Sequence, residues 1–181
     1  MKTLPIAIFL SLSLLSCNEK NKAFDSFDYS FSGTFSELYS IKFTESDTVF
    51  VRQYWIRRRF NDSISKPQNN TNYYALINQK EKLKLFDYIA KINLFKYKSE
   101  YYKDYCDGSE YAINIEKDFK SKIIFVHSYE APKKLDSLSL WINNIKQSLL
   151  LKETKKELFF GSAEVTMPPI PPPPPPLPHN E

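Results

Sequence analysis

Twice along this chain a run that alternates every second residue gives way to one whose apolar residues recur every third and fourth. That doubled switch constrains the fold more than any other feature. Phe27, Tyr29 and Phe31 alternate with Asp28, Ser30 and Ser32, the period of a strand with one aromatic face. Tyr39, Ile41 and Phe43 alternate again, and residues 44–47 fit a hairpin loop into a strand over 48–55. A β-favouring run follows at 72–77. Asn78 is placed to cap a helix with Leu83, Phe86, Ile89 and Ala90 as its apolar stripe, ending near Asn93. After a tyrosine-rich segment and the turn signal Asp107-Gly108 the pattern repeats. Tyr111, Ile113 and Ile115 alternate with Ala112, Asn114 and Glu116, and a loop at 117–120 leads into 122–127. A second helix opens at Pro132, a residue tolerated in a first turn, with the stripe Leu135, Leu138, Ile142, Ile145 and Leu149 and Trp141 beside it. Leu158 to Phe160 fits a last edge strand. The expectation is an α+β two-layer sandwich, with an antiparallel sheet and two amphipathic helices on one face, in the order strands–helix–strands–helix.

The ends differ from this body. Met1-Lys2-Thr3 puts a positive charge before a short apolar run, Leu4 to Leu15, which is too short for the roughly 20 residues of a membrane-spanning helix. A basic start, an apolar stretch and a small residue at a cut site describe a secretory signal. Leu14-Leu15-Ser16-Cys17 closes it and resembles the lipobox of bacterial prolipoproteins; Leu15 departs from that family's preference for a small residue. The resemblance implies cleavage before Cys17 and a palmitate-type lipid anchor on that Cys. Each buried methylene contributes about 0.8 kcal/mol, so more than one chain makes attachment stable. In layout the body is similar to small Bacteroidota-type lipoproteins. The expected organisation is a signal peptide at 1–16, a lipidated tether at 17–26, one domain at 27–160, and a disordered proline-rich tail at 161–181. Nine of twelve prolines lie from Pro168 to Pro178, and the unbroken run Pro171 to Pro176 imposes polyproline II geometry. Two readings of the tail stay open: a docking segment for a protein partner, or a spacer.

Few residues point to chemistry. Only three glycines, Gly33, Gly108 and Gly161, occur in 181 residues, which excludes glycine-rich phosphate loops and dinucleotide fingerprints. With Cys17 lipidated, Cys106 has no intramolecular partner. Asp104 and Asp107 flank Cys106, with Glu100 and Glu110 nearby, but the oxygen ligands of a calcium loop are missing and flanking carboxylates raise a thiol pKa. His127 is the one histidine of the body; a zinc site needs more ligands, and no nucleophile-elbow pattern accompanies it. No cofactor and no metal are expected. Arg57, Arg58 and Arg59 are three of the four arginines, flanked by Tyr54, Trp55 and Phe60. Guanidinium groups hold phosphates or carboxylates bidentately, so this cluster is the candidate anionic-ligand contact, set against a solvated strand end. Export makes nucleic acid an improbable partner and leaves anionic headgroups or acidic protein surfaces. Asp47-Thr48-Val49, Asp62-Ser63-Ile64 and Asp136-Ser137-Leu138 resemble the three-residue O-glycosylation acceptor of exported Bacteroidota proteins.

The functional expectation is a cell-envelope protein, anchored to the membrane by lipid, in the outer membrane if the source is Gram-negative. Its domain is expected to be a non-enzymatic binding or assembly module. Two alternatives are an envelope hydrolase built on the acidic tyrosine-rich segment near Asp104, Asp107 and His127, and an immunity or inhibitor lipoprotein.

Overall fold

A computed structural model describes residues 22–33, 37–54, 70–104 and 108–166. Residues 1–16, where a signal segment is expected, and Cys17, Arg57, Arg58, Arg59, Ser63, Cys106, Asp107 and the prolines from Pro168 onward lie outside the described residues.

The strands are β1 (Ser26–Gly33), β2 (Leu38–Phe43), β3 (Thr48–Tyr54), β4 (Asn70–Leu76), β5 (Glu100–Tyr102), β6 (Ser109–Lys117), β7 (Lys120–His127) and β8 (Lys152–Glu153). The helices are α1 (Gln79–Ile92), α2 (Lys133–Ser148) and the short α3 (Ala163–Thr166). Among the described residues, eight strands join one sheet in the order β5-β7-β6-β1-β2-β3-β4-β8. The chain lays down the meander β1–β4, crosses on α1 to the far edge, and returns with the β6–β7 hairpin slotted between β1 and β5. It then crosses back on α2 to put β8 beside β4.

This overturns the expected two-layer sandwich on three counts. The sheet is mixed, because β5 runs parallel to β7. Strand outweighs helix, and a third helix joins the two amphipathic ones. Over β4, β3, β2, β1 and β6 the sheet face away from α1 and α2 is not left to solvent, since Gly161–Thr166 and the segment before it lie on that side. The physical reason lies in the "polar" half of the β1 and β2 alternation. Asp28, Ser30 and Ser40 are fully buried, and buried polar groups need partners, which a covering segment supplies.

The apolar half behaves as the period demands. Phe27, Tyr29, Ile41, Phe43, Val49, Val51, Ile113, Ile115, Ile124 and Val126 face the helices and form one core with Leu85, Ile89, Leu135, Leu138, Ile142 and Ile145. Phe24 belongs to this core, meeting Phe86 edge-on and Phe27 at a tilt. Packing therefore begins three residues before the expected domain start and runs past Gly161 to the buried Thr166. In α1 the buried stripe is Lys82, Leu85, Ile89 and Ile92, not the expected Leu83, Phe86, Ile89 and Ala90; Leu83 is 58% exposed. Lys82 can hold a core position because its stem lies along apolar surface while its ammonium reaches Asp47 and the Glu45 carbonyl. Asn78 caps the helix by accepting from the Lys80 and Glu81 amides, and Asn93 ends it in the left-handed region at φ 49°. In α2, Ser139 joins the stripe and shares a 2.7 Å hydrogen bond with the Tyr29 hydroxyl, pinning helix to sheet. Burial pushes the Tyr29, Tyr39 and Tyr111 hydroxyls above the usual tyrosine range, so these groups stay neutral at physiological pH. The expected edge strand at 158–160 is absent; Lys152–Glu153 takes that place.

The β6–β7 hairpin turns on Asp118 and Phe119, both left-handed, at φ 50° and 62°. Such a turn favours Asn-Gly, and a bulky residue there is strained by roughly 1–2 kcal/mol. Phe119 compensates with no contact, being fully exposed. Phe119→Gly is therefore expected to raise stability by about 1 kcal/mol in urea unfolding; an unchanged or lower midpoint would contradict the strain.

Candidate functional site

The far face of the sheet divides into a closed half and an open half, and register shows why. One row of cross-strand neighbours runs Asn72, Arg52, Ser40, Ser30, Ala112, Phe125, Glu100. The adjacent row runs Tyr74, Phe50, Lys42, Asp28, Asn114, Ile123. From β8 the chain crosses these rows as a strap. Over β4, the Asn72 carbonyl accepts from the Thr154 amide at 2.9 Å, and the Asn72 side chain donates to the Lys156 carbonyl at 2.9 Å. Over β3, Arg52 donates to the Leu158 carbonyl at 2.5 Å, is steered by Asn72, and lies 5.2 Å from the Phe160 ring centroid. Lys156 sits above Phe50 in turn. Over β2, Lys42 donates to the Phe159 carbonyl at 3.5 Å. The strap has no periodicity of its own because its backbone is held by side chains of the sheet.

Over β1 and β6 it is locked. Asp28 Oδ1 accepts from the Ser162 amide at 2.8 Å and from the Ser162 hydroxyl at 2.5 Å. Its Oδ2 accepts from Asn114 Nδ2 at 2.9 Å. Because the Ser162 hydroxyl donates to Asp28, it must accept from Ser30 (2.7 Å), which then accepts from Ser40 (2.6 Å). One buried carboxylate thus orients three hydroxyls. Gly161 fits because a Cβ there would stand 2.7 Å from Asn114 Nδ2. A serine and a carboxylate in contact invite a nucleophile reading, but both Asp28 oxygens and the Ser162, Ser30 and Ser40 hydroxyls are engaged within the cluster and the group is buried. Its chemistry is that of a latch.

The strap's last described turn, α3, lies over β1 and β6, and the side chains of the face beyond it are partly exposed, with no described element crossing them. Ile123 and Phe125 of β7 are half-buried there, and Tyr102 of β5 is 60% exposed. Tyr102 stacks on His127 with ring centroids 5.4 Å apart. His127 Nδ1 lies 3.5 Å from Glu110 Oε2, and burial raises the Glu110 pKa, an effect that the neighbouring His127 opposes. This ribbon is apolar and aromatic with a carboxylate–imidazole pair on its rim.

Of the residues singled out in the sequence, the structure brings His127 and Glu110 together and adds Tyr102. Asp104 is exposed just past β5, and Glu100 is exposed on the same strand. Asp136 accepts from the buried Tyr111 hydroxyl at 2.8 Å, so it serves the core, while Ser137 is exposed. Thr48 opens β3. Cys17, the residue expected to carry lipid, and the arginine cluster lie outside the described residues. Sequence reasoning missed Asp28, Arg52, Asn114 and Ser162. The usable signal was small Ser and Asp, rather than Lys and Glu, at alternate positions of β1 and β2. Among the described residues, no group of three or more His, Cys, Asp or Glu is placed to hold a metal ion, and no helix is long and apolar enough to cross a membrane.

No protein-family model matches this sequence. A search of the curated proteins gives no significant match either.

Proposed function

We propose that this protein is a lipid-anchored, non-enzymatic binding module of the bacterial cell envelope, and that the open ribbon Ile123–Phe125–Tyr102 is its contact surface. The observation that carries the binding reading is the asymmetry of the far face. Five strands of it, from β4 to β6, are crossed by a dedicated strap with a polar partner along the way, whereas its β7–β5 end presents aromatic and aliphatic side chains with Tyr102 well exposed. A sheet surface of that kind suits an extended, apolar partner segment, because rings supply contact area at low entropic cost. The anchor reading rests on Leu14-Leu15-Ser16-Cys17. It places the domain at a membrane surface, attached through Cys17.

Both parts have a direct test. Cys17→Ala is expected to abolish incorporation of labelled palmitate and to leave the precursor uncleaved; continued labelling would sink the anchor. Capture of the anchored protein from its own membranes, as wild type and as Tyr102→Ala, should yield an envelope protein retained by the first and lost from the second. Identical recoveries would remove the ribbon as a binding surface.

A further inference from the structure

Resting on the anchor reading at Cys17, we propose that the end of the sheet where the chain enters the domain docks on the lipid bilayer that holds the anchor, led by the ring of Phe119. The register places that end. β1, β3 and β7 begin there and β2, β4 and β6 finish there, so the loops at 44–47 and 118–119 and the entering segment 22–25 share one side of the sheet. They are tied to one another. The Glu116 carbonyl accepts from the Asp25 amide at 2.7 Å, and the Asp25 carboxylate accepts from the Asp118 amide at 2.9 Å. Lys22 bridges Asp25 and Glu45. Five peptide steps separate Lys22 from Cys17, at most about 18 Å of chain. A lipid on Cys17 therefore keeps this end, and not the opposite one, beside the membrane.

What this end exposes suits a bilayer interface. Phe119 is fully exposed in a left-handed turn that glycine would fill with less strain, so the fold gains nothing from the ring. Leu76, the last residue of β4, is 74% exposed, and the β4–β8 register carried two places further brings the exposed Leu150 level with it. Phe119 also sits between Lys117 and Lys120, the make-up of an interfacial contact: ring toward the acyl chains, ammonium groups among the phosphates. Net charge does not drive the docking. Lys22, Lys82, Lys117 and Lys120 are offset at the same end by Asp25, Glu45, Asp47, Glu116 and Asp118, and Lys22 and Lys82 are held in ion pairs. So small an apolar contact would be weak by itself, but a tethered one acts at high effective concentration. Docking in this way also serves the ribbon. β5 pairs with the last residues of β7, at the end away from the lipid, so Tyr102 stays available to a partner.

The test puts an indole at the hairpin tip of the full chain, isolated from its membranes and reconstituted in phosphatidylcholine vesicles with ordinary or brominated acyl chains. Phe119→Trp is expected to add emission that is blue-shifted and is lost in the brominated vesicles, over the wild-type signal of Trp55 and Trp141. Tyr129→Trp, at an exposed position beyond the other end of β7, should add emission that the bromines leave unchanged. Both positions are exposed, so neither change disturbs the core. Adding phosphatidylglycerol should alter neither result. An unquenched indole at 119 overturns the docking. If it is also blue-shifted, a protein surface, such as a second copy, covers the ring instead. Equal quenching at 119 and 129 overturns it too, since the domain then has no preferred end. So does quenching at 119 that requires phosphatidylglycerol, which would make the contact one of charge. Palmitate labelling of the same proteins separates the two claims. With label on Cys17 and an unquenched indole, the docking falls and the anchor stands. Without label the anchor falls, and the docking that rests on it falls as well.

Discussion

Asp28→Ala is expected to lower the thermal midpoint by about 10 °C, taking 2–4 °C per kcal/mol at this chain length. The substitution leaves the Ser162 amide, the Ser162 hydroxyl and the Asn114 amide without their acceptor at a site with no access to solvent. A buried donor stripped of its partner costs about 1–3 kcal/mol, so three of them, partly relieved by repacking, cost about 3–5 kcal/mol together. The hydroxyls also lose their common orientation, since Ser30 and Ser40 are aligned through Ser162. Asp28→Asn is the informative control. It keeps an acceptor for Ser162 but turns an amide N–H₂ toward that of Asn114, so an intermediate midpoint is expected. Circular dichroism melts of the three proteins measure this. An Asp28→Ala midpoint within about 2 °C of wild type would mean that the strap is not latched here.

The strands and long helices were legible because periodicity is a local property. Phe27, Tyr29 and Phe31 face one core, and no distant residue has to be known to say so. Asn78 and Asn93 bound α1 through chemistry contained within a few residues. What failed was whatever depended on a remote segment. Ser30 and Asp28 alternate with aromatics whether the opposite side meets water or a strap from more than a hundred residues away, so sequence alone could not separate two layers from a sheet covered on both faces. The α1 stripe slid by one position for a related reason. Lys82 looks like a solvent residue until Asp47 and the Glu45 carbonyl are set beside it. β5 escaped notice because three residues of Glu-Tyr-Tyr carry too little pattern, and its parallel pairing with β7 is set by where α1 delivers the chain. At the candidate site, His127 and Glu110 were visible as isolated titratable residues. Their pairing, and the exposed Tyr102 stacked on the imidazole, needed the sheet order β5-β7-β6.

Ending the chain at Gly161 is expected to cost about 5–10 °C relative to ending it at Thr166, a loss of about 2–4 kcal/mol on the same scale. A proline-rich tail attached to a finished domain would predict no difference, since such a segment buries little. The strap predicts one. The shorter chain lacks Ser162, so Asp28 keeps only Asn114, and it lacks Thr166, whose hydroxyl donates to the Ser162 carbonyl at 3.2 Å to close α3 over β1 and β6. The loss stays below that of Asp28→Ala because the shorter chain also uncovers the pocket around Asp28 and Asn114. Water can then solvate groups that the point substitution leaves stranded in a dry interior. The new terminal carboxylate works in the other direction, since it would lie beside Asp28 and repel it, loosening Phe160 from Arg52. Comparing melts of the two truncated chains isolates the residues 162–166 from everything that follows them. Equal midpoints would show that the Asp28–Ser162 contact closes the far face without stabilising the fold.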